Sequence, residues 1–163
     1  MNLTETYTLY DYLFYDEATS DAKASTNYAN VTTDRSYSEN GTTLSKTATS
    51  GTTYCNTLIG SSQTWFDSTK KYQVEFDFSW ERDSTNSNVG FGFGSDHYNV
   101  HNWFGGALTG SGHMKIITDG NTWTPYLDNV QKASVNITGT NGFAFHIYRT
   151  GSITFKDLKI WEI

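Results

Sequence analysis

Residues 72–80 read Tyr-Gln-Val-Glu-Phe-Asp-Phe-Ser-Trp, and this stretch constrains the fold more than any other. Tyr72, Val74, Phe76, Phe78 and Trp80 fall at every second position, with Gln73, Glu75, Asp77 and Ser79 between them. A period of two belongs to a strand buried on one face. Burying side chains of this size is worth about 1.5–3 kcal/mol each. A one-residue slip would wet the rings and bury the carboxylates, so the register is fixed. One face of the strand is core, and the other is wet and acidic. What the wet face touches is the functional question.

A chain of 163 residues fills one core, so residues 1–163 are expected to form a single domain, a module of a larger surface or fibre protein. No dozen residues keep apolar side chains at helical spacing, while Thr, Ser, Asn, Gly and aromatic residues abound. The reading is all-β; the single Pro125 does not contradict it. A net charge of −6, with 11 Lys and Arg in no cluster, lacks the basic stripe that phosphate backbones demand and argues against nucleic acid. It disfavours an anionic membrane surface too, and no apolar run reaches the ~20 residues of a membrane span. The lone Cys55 cannot close an intrachain disulfide and reads as a small hydrophobe rather than a nucleophile.

Along the chain, residues 7–15 open the fold as one long strand or two short ones, and an acidic turn follows at residues 16–21. Residues 22–36 read as loop with at most one short strand. Asn40-Gly41 predicts a two-residue hairpin with both residues at positive φ. Strands are expected at residues 53–59, 72–80, 89–93, 114–118, 122–127, 143–147 and 153–163, with a polar turn at residues 82–88. Gly90 and Gly92, alternating with Val89, Phe91 and Phe93, read as sites where a backbone or ring packs closely on the strand. Ile153 and Phe155 are odd but Leu158 and Ile160 even, so a bulge is expected near Lys156-Asp157. About ten to twelve strands at this spacing suit a two-sheet antiparallel sandwich.

The acidic turn at Asp16-Glu17, the stretch Thr-Trp-Thr-Pro-Tyr-Leu-Asp-Asn-Val at 122–130 and the closing Ile-Thr-Phe-Lys-Asp-Leu-Lys-Ile-Trp-Glu-Ile resemble the jelly-roll sandwiches of concanavalin-A-like lectins, glucanases and carbohydrate-binding modules. The whole is also similar in flavour to phage tail-tip and methanogen adhesin-like surface domains. The resemblance implies terminal strands lying side by side and an extracellular, cell-surface or virion location. It further implies calcium between the N-terminal acidic turn and an Asp of the last strand, with Asp16 and Asp157 as ligands assisted by Glu17 or Asp21.

Sugars need flat rings for their apolar faces and amides or carboxylates for their hydroxyls. The loops supply Trp65, Tyr98, Trp103 and Trp123 beside His97, Asn99, His101 and Asn102, with Trp103 the foremost candidate for exposure. The expectation is non-catalytic binding of a polysaccharide or surface glycan. Two alternatives stand beside it. Glu75 and Asp77 resemble the acids of laminarinase-like glucanases, which would make the chain a glycoside hydrolase. However, Glu81 stands about 20 Å along the strand from Glu75, too far to flank the same bond. A structural fibre domain forming a homotrimer is the other.

Overall fold

The computed structural model describes residues 12–16, 18, 28–29, 34–47, 51–57, 65–93, 96–137 and 142–163. Among these, fourteen strands follow in order: β1 (Tyr12–Asp16), β2 (Tyr28–Ala29), β3 (Asp34–Ser38), β4 (Gly41–Lys46), β5 (Thr52–Thr57), β6 (Tyr72–Arg82) and β7 (Asn88–Phe93), then β8 (Asp96–Asn99), β9 (Thr109–Thr118), β10 (Thr122–Leu127), β11 (Val130–Gln131), β12 (Val135–Asn136), β13 (Phe143–Tyr148) and β14 (Gly151–Glu162). One 3-10 turn, Val100–Phe104, joins β8 to β9.

The strands build two antiparallel sheets in a jelly-roll sandwich. The larger runs β11-β10-β9-β6-β14-β4-β3, with β1 also on β14 and β12 on β10; the smaller runs β2-β5-β13-β7-β8. The terminal strands do lie side by side, with Tyr15 opposite Lys159.

β6 alternates buried and outward residues as its sequence requires, from Tyr72 to Arg82. Phe76 is the hub of the core: its ring meets Phe91, Phe143 and Phe145 of the smaller sheet at 5.1, 5.5 and 5.4 Å. Each such aromatic pair adds about 0.5–1.5 kcal/mol beyond the area it buries. The expected bulge in β14 is present: the pairing with β6 jumps between Lys156 and Lys159, and Asp157 takes a φ of 53°. It resets the alternation, so that Ile153, Phe155, Leu158 and Ile160 are all buried.

Two expectations are corrected. Ser38 pairs with Gly41, so the β3–β4 loop is Glu39-Asn40, and only Gly41, at φ 118°, takes a positive φ. The two-residue loop with both residues at positive φ is Asp128-Asn129, at 49° and 66°, between the paired Leu127 and Val130. Arg82, placed in a polar turn by its sequence, ends β6 and is buried. Its guanidinium donates to the carbonyls of Ala107, Thr85, Ser87 and Gly106. That clamp ties the β6–β7 turn to the segment leading out of the 3-10 turn.

Gly90 behaves as its pattern suggested. A Cβ there would collide with the Tyr98 carbonyl and the His146 ring.

Candidate functional site

The ring-and-amide residues expected to bind sugar fall in three places. His97, Tyr98 and Asn99 on β8 and His101, Asn102 and Trp103 on the 3-10 turn do come together at the edge of the smaller sheet. Trp103 is half-buried against the core, stacked on Tyr98 at 4.7 Å and 11° and meeting Phe91 at 5.7 Å. Both neighbours close the open side of the sandwich, because Tyr98 sits opposite the inward Phe91. Asn99 Oδ1 lies 3.0 Å from His146 Nε2, and the His97 ring lies 4.1 Å from that of His146. Burial pushes the His101 imidazole below its ordinary pKa, and the Arg82 charge adds to the shift.

Trp65 stands apart, half-buried edge-on against Tyr72 and Phe93. Trp123 is fully buried, 6.2 Å from Phe93. It lies in the core because it shares the inward face of β10 with Pro125 and Leu127, so it offers no ring to a ligand.

A different surface collects polar chemistry: the outer face of the larger sheet. Registry across the strands sets it out in rows. Ser152 stands opposite Glu81 and Glu81 opposite Thr109; Thr154, Ser79 and Ser111 form the next row; Lys156, Asp77 and His113 the next; Lys159, Glu75 and Lys115 the one after. Asp77 Oδ1 is 2.7 Å from His113 Nδ1, and both side chains are about half-exposed, at 60% and 45%. Asp128 Oδ1 accepts from the His113 backbone N–H at 2.9 Å, which fixes that position of β9. Glu75 accepts from Gln73 Nε2 at 2.6 Å, and Lys115 Nζ lies over the Tyr126 ring at 5.1 Å.

Three shallow depressions follow β6 along this face. One of 520 Å³ is lined by Thr43, Ser79, Glu81, Thr109, Ser111, Ser152 and Thr154. It shares Glu81, Thr109 and Ser152 with one of 680 Å³ that reaches Lys46 and Asp83, and Ser79 and Thr154 with one of 230 Å³ that reaches Asp77 and Lys156. Together they form one open trough floored by hydroxyls, with carboxylates along it. Hydrogen bonds from Thr150 and then Ser87 hold the Asp83 carboxyl below the usual carboxylate range, keeping it charged at the rim.

Of these residues the sequence pointed only to Glu75, Asp77 and Glu81. His113 and Ser111 fall before the strand expected at residues 114–118, which in fact begins at Thr109, and the Asp77 that His113 meets lies 36 residues away in the chain. Registry between distant strands has no local signal.

For the expected metal site, Asp16 stands opposite Leu158, next to the bulged Asp157. The two backbones are thus neighbours; Glu17 and Asp21 lie outside the described residues. Among the described residues no group of three or more His, Cys, Asp or Glu is arranged to hold a metal ion.

No protein-family model and no curated protein matches this chain. Solved structures do. The carbohydrate-binding module CBM66 from Bacillus subtilis superposes with a TM-score of 0.55 at 10% identity, over 83% of this chain and 96% of that one. The alginate lyase from Corynebacterium sp. gives 0.56 at 11% identity, over 77% and 78%. An alginate lyase of polysaccharide lyase family 7 gives 0.55 at 10%, over 77% and 79%. At these identities the likeness is one of fold, and it places the chain among jelly-roll sandwiches.

Proposed function

We propose that this domain binds glycans without catalysis, at a cell or virion surface, through the outer face of its larger sheet. The observation that carries the reading is the hydroxyl-floored trough along β6, with the Asp77–His113 pair at one end and Glu81 and Asp83 towards the other. Such a surface offers both donors and acceptors to sugar hydroxyls. The shared fold of a carbohydrate-binding module supports it.

Electrophoresis of the domain through gels containing soluble polysaccharides tests this. Retardation by at least one glycan, abolished in Asp77→Ala and Ser79→Ala variants and without release of reducing ends, is expected. Migration unaffected by every glycan would end the reading.

One observation favours a second reading. The 2.7 Å contact between Asp77 and His113 orients an imidazole as a general base on an accessible face, and two of the structural neighbours are lyases by name. Polysaccharide cleavage that disappears in His113→Ala would establish it.

A structural calcium ion held by Asp16 and Asp157, with Glu17 or Asp21, completes the proposal. Bound at a hundredfold excess over its Kd, the ion would add about 2.7 kcal/mol of stability. Calcium should therefore raise the unfolding midpoint of the wild type and not of Asp157→Ala; equal midpoints with calcium and with chelator would remove the ion from the proposal.

A further inference from the structure

β1 carries two tyrosines three residues apart that no reading of the alternation would place on one face. In an unbroken strand, residues i and i+3 point to opposite sides. Here the pairing with β14 slips between Tyr12 and Phe14, so that Leu13 is bulged out: Tyr12 stands opposite Trp161, Phe14 opposite Ile160 and Tyr15 opposite Lys159. Phe14 thus joins the buried Ile160 in the core, and both tyrosines face outward with Trp161 and Lys159. Their rings stack at 5.6 Å and 26°, and they remain 40% and 41% exposed. Trp161 braces Tyr12 edge-on at 5.7 Å and is itself only 8% exposed, although it lies outside the core cluster. The bulge therefore builds a supported aromatic platform on the face that bears the trough.

The platform is continuous with that face. Tyr15, Lys159, Glu75, Lys115 and Tyr126 form one row across five strands. At about 4.8 Å between strands the row is ~19 Å long. A ring stands at either end, and donors and acceptors lie between. Resting on the glycan-binding reading above, we infer that Tyr12 and Tyr15 form a stacking subsite for a pyranose ring of a neutral polysaccharide, whose neighbouring sugars lie over Glu75 and its flanking lysines.

Two features favour that occupant. The braced tyrosines leave apolar ring surface exposed, of the kind a pyranose face covers, and exposed apolar patches of contiguous side chains mark binding surfaces; Leu13, 37% exposed, extends this one. Positive and negative charges also alternate along the row, so no run of one sign answers to a polyanion.

The test is affinity electrophoresis in gels containing hydroxyethylcellulose, laminarin, galactomannan or alginate, with unfolding midpoints confirming that each variant folds. The wild type should be retarded by a neutral polymer, and 0.5 M salt should leave that retardation unchanged. Tyr15→Ala and Tyr12→Ala should each weaken binding about tenfold, and Tyr15→Phe, which keeps the ring, less than twofold. Wild-type retardation in the tyrosine variants, with loss in Asp77→Ala, would overturn the subsite and leave the glycan reading standing. Retardation by alginate alone, abolished by salt, would overturn the neutral ligand. A self-association that Tyr15→Ala abolishes would overturn the subsite alone, whereas a wild type that no polymer retards would overturn it together with the reading beneath it.

Discussion

His146 sits on the outer side of the smaller sheet, yet only 1% of it is exposed. Gly90 of β7 lies beside it, His97 of β8 covers it and Asn99 bonds its Nε2. Burial pushes its pKa well below 6.5, and the nearby His97 and His101 push the same way. The folded state therefore holds the ring neutral, while the unfolded chain takes up a proton near pH ~6.5. Because the unfolded state binds more protons in that window, this group's contribution is complete above ~6.5 and is lost as the pH falls towards the lowered folded value. Urea midpoints should decline from pH 7 to pH 5 in the wild type and decline less steeply in His146→Gln. Parallel slopes would mean that other groups govern acid sensitivity. The sequence displayed four histidines and the close-packing glycine, but not that one ring would lie against the other, since that depends on β7 pairing with both β8 and β13.

Among the strands, those read closest to their limits are runs of large apolar side chains at every second position, as in β7, β10 and β13. β10 coincides with its predicted limits and β13 nearly so, and the phase change in β14 revealed its bulge. Misplaced boundaries occur where a side chain's partner is remote. Arg82 looks like a turn residue because charge usually means exposure, but four backbone carbonyls replace its water. A lysine has three donors radiating from one atom and lacks the planar fork, so it cannot reach the same four acceptors. Each buried polar group left unpaired costs about 1–3 kcal/mol, so Arg82→Lys should destabilise the domain by roughly 3 kcal/mol in urea titrations. Amide exchange should rise first in residues 100–108, which the clamp holds down. A change below about 0.5 kcal/mol would show the carbonyls to be satisfied otherwise.

At the scale of the molecule, β6 divides the labour between its two faces: its inward residues join the sheets and its outward ones line the trough. The inward set was legible because burial imposes a rule on every second residue. The outward set obeys no such rule, and its partners come from β9, β14 and β1, so the sequence identified Glu75 and Asp77 without their surroundings. The division makes stability and binding separable at adjacent positions. Phe76→Ala removes a ring that three others contact and should cost about 3–5 kcal/mol. Asp77→Ala, one residue on, removes a half-exposed partner of His113, and exposed ion pairs contribute little to stability. The expected result is an unchanged unfolding midpoint for Asp77→Ala with glycan retardation abolished, against a sharply lowered midpoint for Phe76→Ala with binding intact wherever the variant remains folded. If both variants lost stability equally, the Asp77–His113 contact would be part of what holds β6 to β9 rather than part of a ligand surface.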